Sequence, residues 1–186
     1  MNKKLICLVL AMVMLCMAPL AYAATSPDTA AKTTPKSGSS TATVTEPLSV
    51  TAVGLTAAAQ GVLAEIKTFD GDDIEFFGAD VKAAVAALLP AGSDLSALKV
   101  LEFSSIALTG FDPYYGDVVV DFVFAAKFPD GAPIVALLGF ETATGVEWMT
   151  LKAEVINGKV YIYFTQAALI ALNGRTGMLA ILSEEI

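Results

Sequence analysis

Histidine is absent from the chain, and its only two cysteines, Cys7 and Cys16, stand close to the N-terminus. Both cysteines fall in a segment that we expect to be removed, so the mature protein would contain neither an imidazole nor a thiol. Without these groups it cannot form a Ser-His-Asp or Cys-His catalytic centre, a His- or Cys-ligated zinc site or a disulfide. We therefore expect no metal and no cofactor, and a site has to use carboxylates, amines and hydroxyls.

The first 23 residues show the three parts of a secretory signal peptide. Lys3 and Lys4 make the N-terminus positive, residues 5–15 form an apolar run, and residues 21–23 (Ala-Tyr-Ala) fit the small-x-small cleavage pattern. The apolar run is shorter than the roughly 20 residues that a membrane-spanning helix needs. We expect cleavage after residue 23, no membrane insertion afterwards, and a protein that is secreted, periplasmic or at the cell surface.

Acidic residues outnumber basic ones by 19 to 11. Removal of residues 1–23 would take away Lys3 and Lys4 and no acid, and would leave a net charge of −10. Such a surface repels the phosphates of nucleic acids and the headgroups of anionic lipids. We therefore expect no nucleic-acid partner.

The composition divides the remaining chain in two. Residues 24–47 are rich in Ala, Ser, Thr, Pro and Lys, and Val44 is their one large aliphatic residue. Such a segment buries too little apolar surface to offset the entropy of ordering it, which predicts a flexible spacer or a disordered tail without a role. Residues 48–186 have the composition and length of a single globular domain, and we recognise no C-terminal anchor sequence in them.

Hydrophobic periodicity predicts helices first and strands afterwards. Helices are expected over residues 57–67 and 79–89, with a third, short one over 165–172. The acidic segment 70–75 lacks the spacing of a calcium-binding loop, which favours a solvated turn. Strands are predicted over residues 98–108, 117–127, 133–140 and 178–183, with a hairpin over 146–164.

Asn157-Gly158 is the strongest local signal in the chain. It lies between two alternating segments and predicts a two-residue hairpin turn, because both turn positions need positive φ. Such a turn fixes the strand register. The expected pairs are Val155 with Val160, Ala153 with Ile162, and Leu151 with Phe164.

The other face of this hairpin combines aromatic and charged side chains. The five candidate ligand-binding residues are Trp148, Lys152, Glu154, Tyr161 and Tyr163, with Glu154 facing Tyr161 and Lys152 facing Tyr163. Flat rings beside charged hydrogen-bonding groups suit stacking on sugars or packing against a peptide. The alternative is that these residues stabilise the sheet by cross-strand pairing or lie beneath a predicted helix.

The element pattern predicts an α+β fold, with two N-terminal helices packed on an antiparallel, sandwich-like sheet of five or six strands. A β-sandwich with surface helices is the alternative. From residues 115–117 (Tyr-Gly-Asp) onward, the apolar strand, the hairpin GVEWMTLKAEVINGKVYIYF, the short helix and the closing strand LAIL resemble β-sandwich modules of uncharacterised secreted or surface proteins of bacteria. The resemblance covers about half of the mature chain. It implies an extracytoplasmic location and a sandwich architecture, and it carries over no site residue.

Three functions remain compatible with these features. The first, which we favour, is a non-catalytic extracytoplasmic module that binds a glycan, a peptide or a surface protein. The second is a carboxylate-dependent hydrolase, for which Asp121, Glu141, Glu147 and Glu154 are available. The third is a self-assembling structural subunit, which an exposed apolar edge strand would favour.

Overall fold

The computed structural model of the chain describes residues 32–35, by their backbone only, and residues 48–184. Within them lie eight strands and four α-helices. The strands are β1 (Lys32–Pro35), β2 (Ser49–Val53), β3 (Leu98–Thr109), β4 (Val118–Phe122), β5 (Ile134–Thr142), β6 (Gly145–Ile156), β7 (Lys159–Phe164) and β8 (Thr176–Glu184). The helices are α1 (Ala57–Thr68), α2 (Asp73–Phe76), α3 (Ala79–Leu88) and α4 (Gln166–Leu172). None of these helices has the length and apolarity needed to cross a membrane.

The predicted signal peptide and most of the predicted spacer lie outside the described residues. The exception is β1, which falls within the predicted spacer and pairs antiparallel with β4.

The eight strands form one antiparallel sheet in the order β1-β4-β7-β6-β5-β8-β3-β2. Strand β6 belongs to both halves of it, because residues 145–152 pair with β5 and residues 153–156 pair with β7. The sheet curls so far that its outer strands, β1 and β2, come close to each other. The result is a nearly barrel-shaped sheet.

The predicted sandwich-like α+β fold is therefore wrong. The described residues form a single curved sheet of eight strands, and their four helices include one, α4, that follows β7. The physical reason is that β6 is long and changes its partner along its length, from β5 to β7. The two halves of the sheet therefore stay continuous. Because the sheet curves, its apolar face packs against itself, whereas in a sandwich it would pack against a second sheet.

The inner face of the curved sheet is solidly packed. Its fully buried side chains include Phe122, Phe164, Leu138, Leu179, Ile162 and Ile181. Helix α4 adds Leu169 and Leu172, which are both 0% exposed and belong to the same cluster. The Thr165 hydroxyl caps this helix by accepting the Ala168 N–H at 3.2 Å. Burial of so much apolar surface is the main stabilising contribution to this fold.

A second apolar cluster lies on the outer face of β3, β5 and β8. Buried side chains of the sheet, among them Val135, Leu137 and Leu182, pack there with residues of α1, α2 and α3. Thr56 caps α1 by accepting the Ala59 N–H at 3.2 Å. The helices therefore cover part of the outer face, and their edge forms one wall of the cleft described below.

The register between β3 and β8 shifts between Val100 and Glu102, as it does at a β-bulge. The Glu102 carboxylate accepts the backbone N–H of Ala126 at 2.7 Å and so anchors the segment that follows β4. Burial raises the pKa of Glu102 above its ordinary value of 4.5, although hydrogen bonds from the backbone of Ala126 and Ala125 act in the opposite direction. The strand predicted over 117–127 is shorter in the structure, because β4 ends at Phe122. The residues after Phe122 form the segment that Glu102 anchors at Ala126.

Candidate ligand-binding cleft

A cleft of about 610 Å³ opens on the outer face of the sheet, where α1, the turn between α2 and α3, and the β5–β6 hairpin meet. Its walls include Gly61 and Glu65 of α1, Phe77 before α3, Glu141 near the end of β5, and Trp148 of β6. The volume lies within the range of small-ligand sites, which measure roughly 300–1,000 Å³. The cleft is therefore large enough for a ligand the size of a short peptide segment or a small oligosaccharide.

Trp148 is the only tryptophan of the chain, and the backbone of β5 determines where its indole lies. It pairs across the strands with Gly139, and a methyl group at position 139 would lie only 2.5 Å from the nearest ring atom. The missing side chain thus gives the indole room to lie across β5. Phe77 contacts the ring edge-to-face at a centroid distance of 4.9 Å, and Phe103 does so at 6.4 Å. Trp148 is held on three sides and stays half-buried.

Gly61 leaves a gap in the α1 wall of the cleft. It lies inside the helix, its φ is not in the left-handed region, and a methyl group there would meet nothing within 4 Å. A glycine inside a helix costs about 1 kcal/mol relative to alanine. Neither backbone conformation nor close packing therefore requires glycine at this position, and its effect is to widen the cleft.

Two carboxylates approach the cleft from different elements. Glu65 of α1 and Glu141 of β5 both line it and are both exposed, whereas no lysine or arginine between residues 48 and 184 lines it. Neither glutamate takes part in the four ion pairs found between described residues. The nearby Arg175 donates to the Glu141 backbone carbonyl at 3.2 Å and lies over the Phe140 ring at 4.6 Å. Within the described part of the chain, the negative charge of these two residues therefore has no basic residue beside it in the cleft wall.

The hairpin turn and most of its register are confirmed. Asn157 and Gly158 have φ values of 52° and 70°, and the Val155–Val160 and Ala153–Ile162 pairs are both present. The ladder between β6 and β7 ends at the Ala153–Ile162 pair, so the predicted pairing of Leu151 with Phe164 is not formed.

Beyond the cleft, the outer face of the hairpin carries a network of charged and aromatic side chains. Lys152 forms an ion pair with Glu154 at 2.6 Å, and its ammonium lies 4.9 Å from the centre of the Tyr163 ring. The Tyr163 hydroxyl donates to Glu154 at 2.8 Å. Hydrogen bonds from Lys152 and Tyr163 lower the pKa of Glu154, and the bond to Glu154 raises the pKa of the Tyr163 hydroxyl. We call Lys152, Glu154 and Tyr163 the hairpin network.

The five predicted binding residues therefore separate into two groups. Trp148 lies in the cleft, whereas Lys152, Glu154 and Tyr163 bond to one another in the hairpin network. Tyr161 is half-buried and lies directly opposite Glu154 in the strand register, as predicted. Four residues of extended strand, about 13 Å, separate Trp148 from Lys152. The polar groups of the network satisfy one another, while the wall around Trp148 has room for a ligand.

Sequence reasoning missed most of the cleft residues. Glu65, Phe77 and Gly139 meet Trp148 or the cleft only through tertiary contacts, and no local pattern marks them. Gly61 is the exception, because a glycine inside a predicted helix is unfavourable and therefore indicates a packing or functional role at that position. Glu141 stands in the sequence as one of several scattered acids, and no local pattern pairs it with Glu65.

Between residues 48 and 184 there is no group of three or more histidine, cysteine, aspartate or glutamate side chains arranged to hold a metal ion. No family model, curated protein or solved structure matches the chain. Its function has therefore to be inferred from the geometry and chemistry of the cleft.

Proposed function

We propose that this protein is a non-catalytic, extracytoplasmic binding module that holds its ligand, a glycan, a peptide or part of a surface protein, in the cleft beside Trp148. The observation that carries the proposal is a half-buried indole, fixed by Gly139 and Phe77, in the wall of a cleft of about 610 Å³. A fixed aromatic ring offers a large contact area at little cost in side-chain entropy. The signal-peptide pattern of residues 1–23 supports the extracytoplasmic setting.

A carboxylate-dependent hydrolase is the second candidate, and it is favoured by the presence of Glu65 and Glu141 in the same cleft. In such an enzyme one carboxyl would act as acid and the other as base or nucleophile. Exchange of either glutamate for glutamine would then abolish turnover. In a binding module the same exchanges change affinity only, so candidate substrates should be bound without being cleaved.

Self-assembly through an open sheet edge has less support. The outer strands β1 and β2 come close to each other, which leaves little room for an added strand. Sedimentation over a range of protein concentrations tests this possibility, and growth of large species would favour it.

The proposal is tested with glycan and peptide arrays followed by titration of each hit. Because Trp148 is the only tryptophan, its fluorescence reports binding in the cleft directly. Gly61→Leu should fill the cleft and weaken binding by at least tenfold, and leucine is a good helix former, so α1 should be kept. Gly61→Ala, which adds one methyl group, is the matched control and should bind nearly as well as the wild type.

Two outcomes would contradict the proposal. One is that no array compound changes the Trp148 emission. The other is that hits bind equally well to the wild type and to a folded Gly61→Leu variant, because the ligand would then bind elsewhere.

A further inference from the structure

We infer that the cleft takes a basic side chain, a lysine or an arginine, of a peptide or protein partner. This inference rests on the proposed function, because it names the chemistry of the ligand held beside Trp148. It joins three features of the cleft: its charge, its apolar wall and its exposure to solvent.

The first feature is charge. Glu65 of α1 and Glu141 of β5 line different walls, and none of the basic residues that the structure describes with side chains lines the cleft beside them. Arg175 is held over the Phe140 ring and donates to a backbone carbonyl. A cation entering the cleft would gain from both carboxylates, whereas an anion would be repelled by both.

The second feature is the apolar wall of the cleft. Val62, Phe76, Val146 and Trp148 line the cleft, and all four are partly exposed. The methylene groups of a long basic side chain can pack along such a wall while its charged end stays near the carboxylates. An ammonium or guanidinium group is also attracted to the face of an indole.

The third feature distinguishes a peptide from a free amine. The cleft is open, since Gly61, Glu65, Glu141 and Thr142 in its walls are exposed. A polypeptide backbone can therefore stay outside while one side chain enters. A free amine would make only the contacts of that side chain, so the peptide should bind more tightly.

The test uses acetylated and amidated pentapeptides with one central residue between alanines, titrated against the full protein and followed by Trp148 fluorescence. The central residue is lysine, its uncharged analogue norleucine, or glutamate. At low salt we expect lysine to bind roughly two- to tenfold more tightly than norleucine, since each exposed charge pair changes affinity by up to about fivefold and two carboxylates line the cleft. Glutamate should bind most weakly. Added salt of about 0.5 M should reduce the advantage of lysine.

Matched variants separate the cleft from the general acidity of the protein. The double variant Glu65→Gln with Glu141→Gln should remove the advantage of lysine over norleucine. The control pair, Asp70→Asn with Glu147→Gln, removes as much charge from exposed acids that do not line the cleft, and it should leave the advantage in place.

Each contrary outcome has a different meaning. Equal binding of lysine and norleucine peptides, both weakened by Gly61→Leu, would overturn the inference and leave the proposed function intact. Equal losses in the cleft pair and the control pair would overturn it as well, because the attraction would then be unspecific. Binding of n-butylammonium as tight as that of the lysine peptide would overturn the assignment to a peptide. If neither the peptides nor any array compound changed the fluorescence of Trp148, the proposed function itself would be refuted.

Discussion

Substitution of Gly139 by alanine should displace Trp148 and destabilise the fold. The new methyl group would lie 2.5, 2.7 and 2.8 Å from three atoms of the indole ring, well inside van der Waals contact. The methyl group lies on strand β5 inside a packed sheet, so the indole is the part that has to move. Its edge-to-face contacts with Phe77 at 4.9 Å and Phe103 at 6.4 Å would be weakened or lost.

The cost of this change can be worked out from two contributions. Forcing an extra methyl group into a packed site costs about 1–3 kcal/mol. Aromatic pairs of this geometry contribute about 0.5–1.5 kcal/mol each, and their loss is partly the same event as the clash. We expect the free energy of unfolding to fall by about 2 kcal/mol, which for a domain of this size lowers the melting temperature by roughly 6–10 °C.

Two measurements check this expectation. Urea denaturation followed by far-UV circular dichroism gives the free energy of unfolding, and the emission maximum of Trp148 should shift to the red as the indole enters water. Gly116→Ala is the matched control, because a methyl group there would meet nothing within 4 Å, and we expect a change of at most about 0.5 kcal/mol. Wild-type stability and an unshifted emission in Gly139→Ala would refute the reasoning, because they would mean that Gly139 does not position Trp148.

Three further outcomes are expected. Gly61→Ala should raise the free energy of unfolding by about 0.5–1 kcal/mol, because alanine is the better helix former and its methyl group meets no neighbour; a loss of stability in urea would show that the space is needed by the fold. Glu154→Gln should bring the pKa of the Tyr163 hydroxyl back toward its ordinary value of 10.0, as followed by the ultraviolet absorbance of tyrosinate, and an unchanged titration would mean that the hydrogen bond is absent in solution. Burial raises the pKa of Glu102, so its contribution to stability is present in full below pH 4.5 and is lost as the pH rises through the higher folded-state pKa. The stability of the wild type relative to Glu102→Gln should therefore fall as the pH is raised from 4 to 7, and a difference that rises with pH would contradict this account.

The parts of this fold that depend on neighbouring residues were predictable from the sequence. The hairpin at Asn157-Gly158 and the capped helix after Thr56 agree with the structure, because a two-residue turn and a helix cap are decided within a few residues. The register at Val155 and Val160 follows from the turn itself.

The closure of the sheet was not predictable in this way. It depends on pairings between distant segments, such as β1 with β4 and β2 with β3, and on β6 changing its partner after Lys152. No local pattern encodes where a long strand changes its partner. For this reason the alternation of apolar and polar residues along single strands is compatible with a sandwich as well as with the curved sheet that is formed.

The candidate site was predictable only in part, for the same reason. Trp148 could be singled out by its residue type, but its surroundings depend on the β5–β6 register, which sets Gly139 beneath the indole. Lys152 and Glu154 were placed on one face correctly, yet the sequence could not show that they bond to each other and to Tyr163.

The filled interior of the curved sheet has a consequence for any recognition event. Phe122, Phe164 and the two leucines of α4 occupy the space that a hollow sheet of this shape would offer to a guest molecule. A ligand cannot enter this interior without disrupting the core, so it has to bind from outside, in the cleft on the outer face, whose wall is held in place by the packed sheet. Such a wall is already in place before a ligand binds. The affinity of the cleft for its ligand can therefore be changed by substituting surface side chains, without altering the core packing that stabilises the protein.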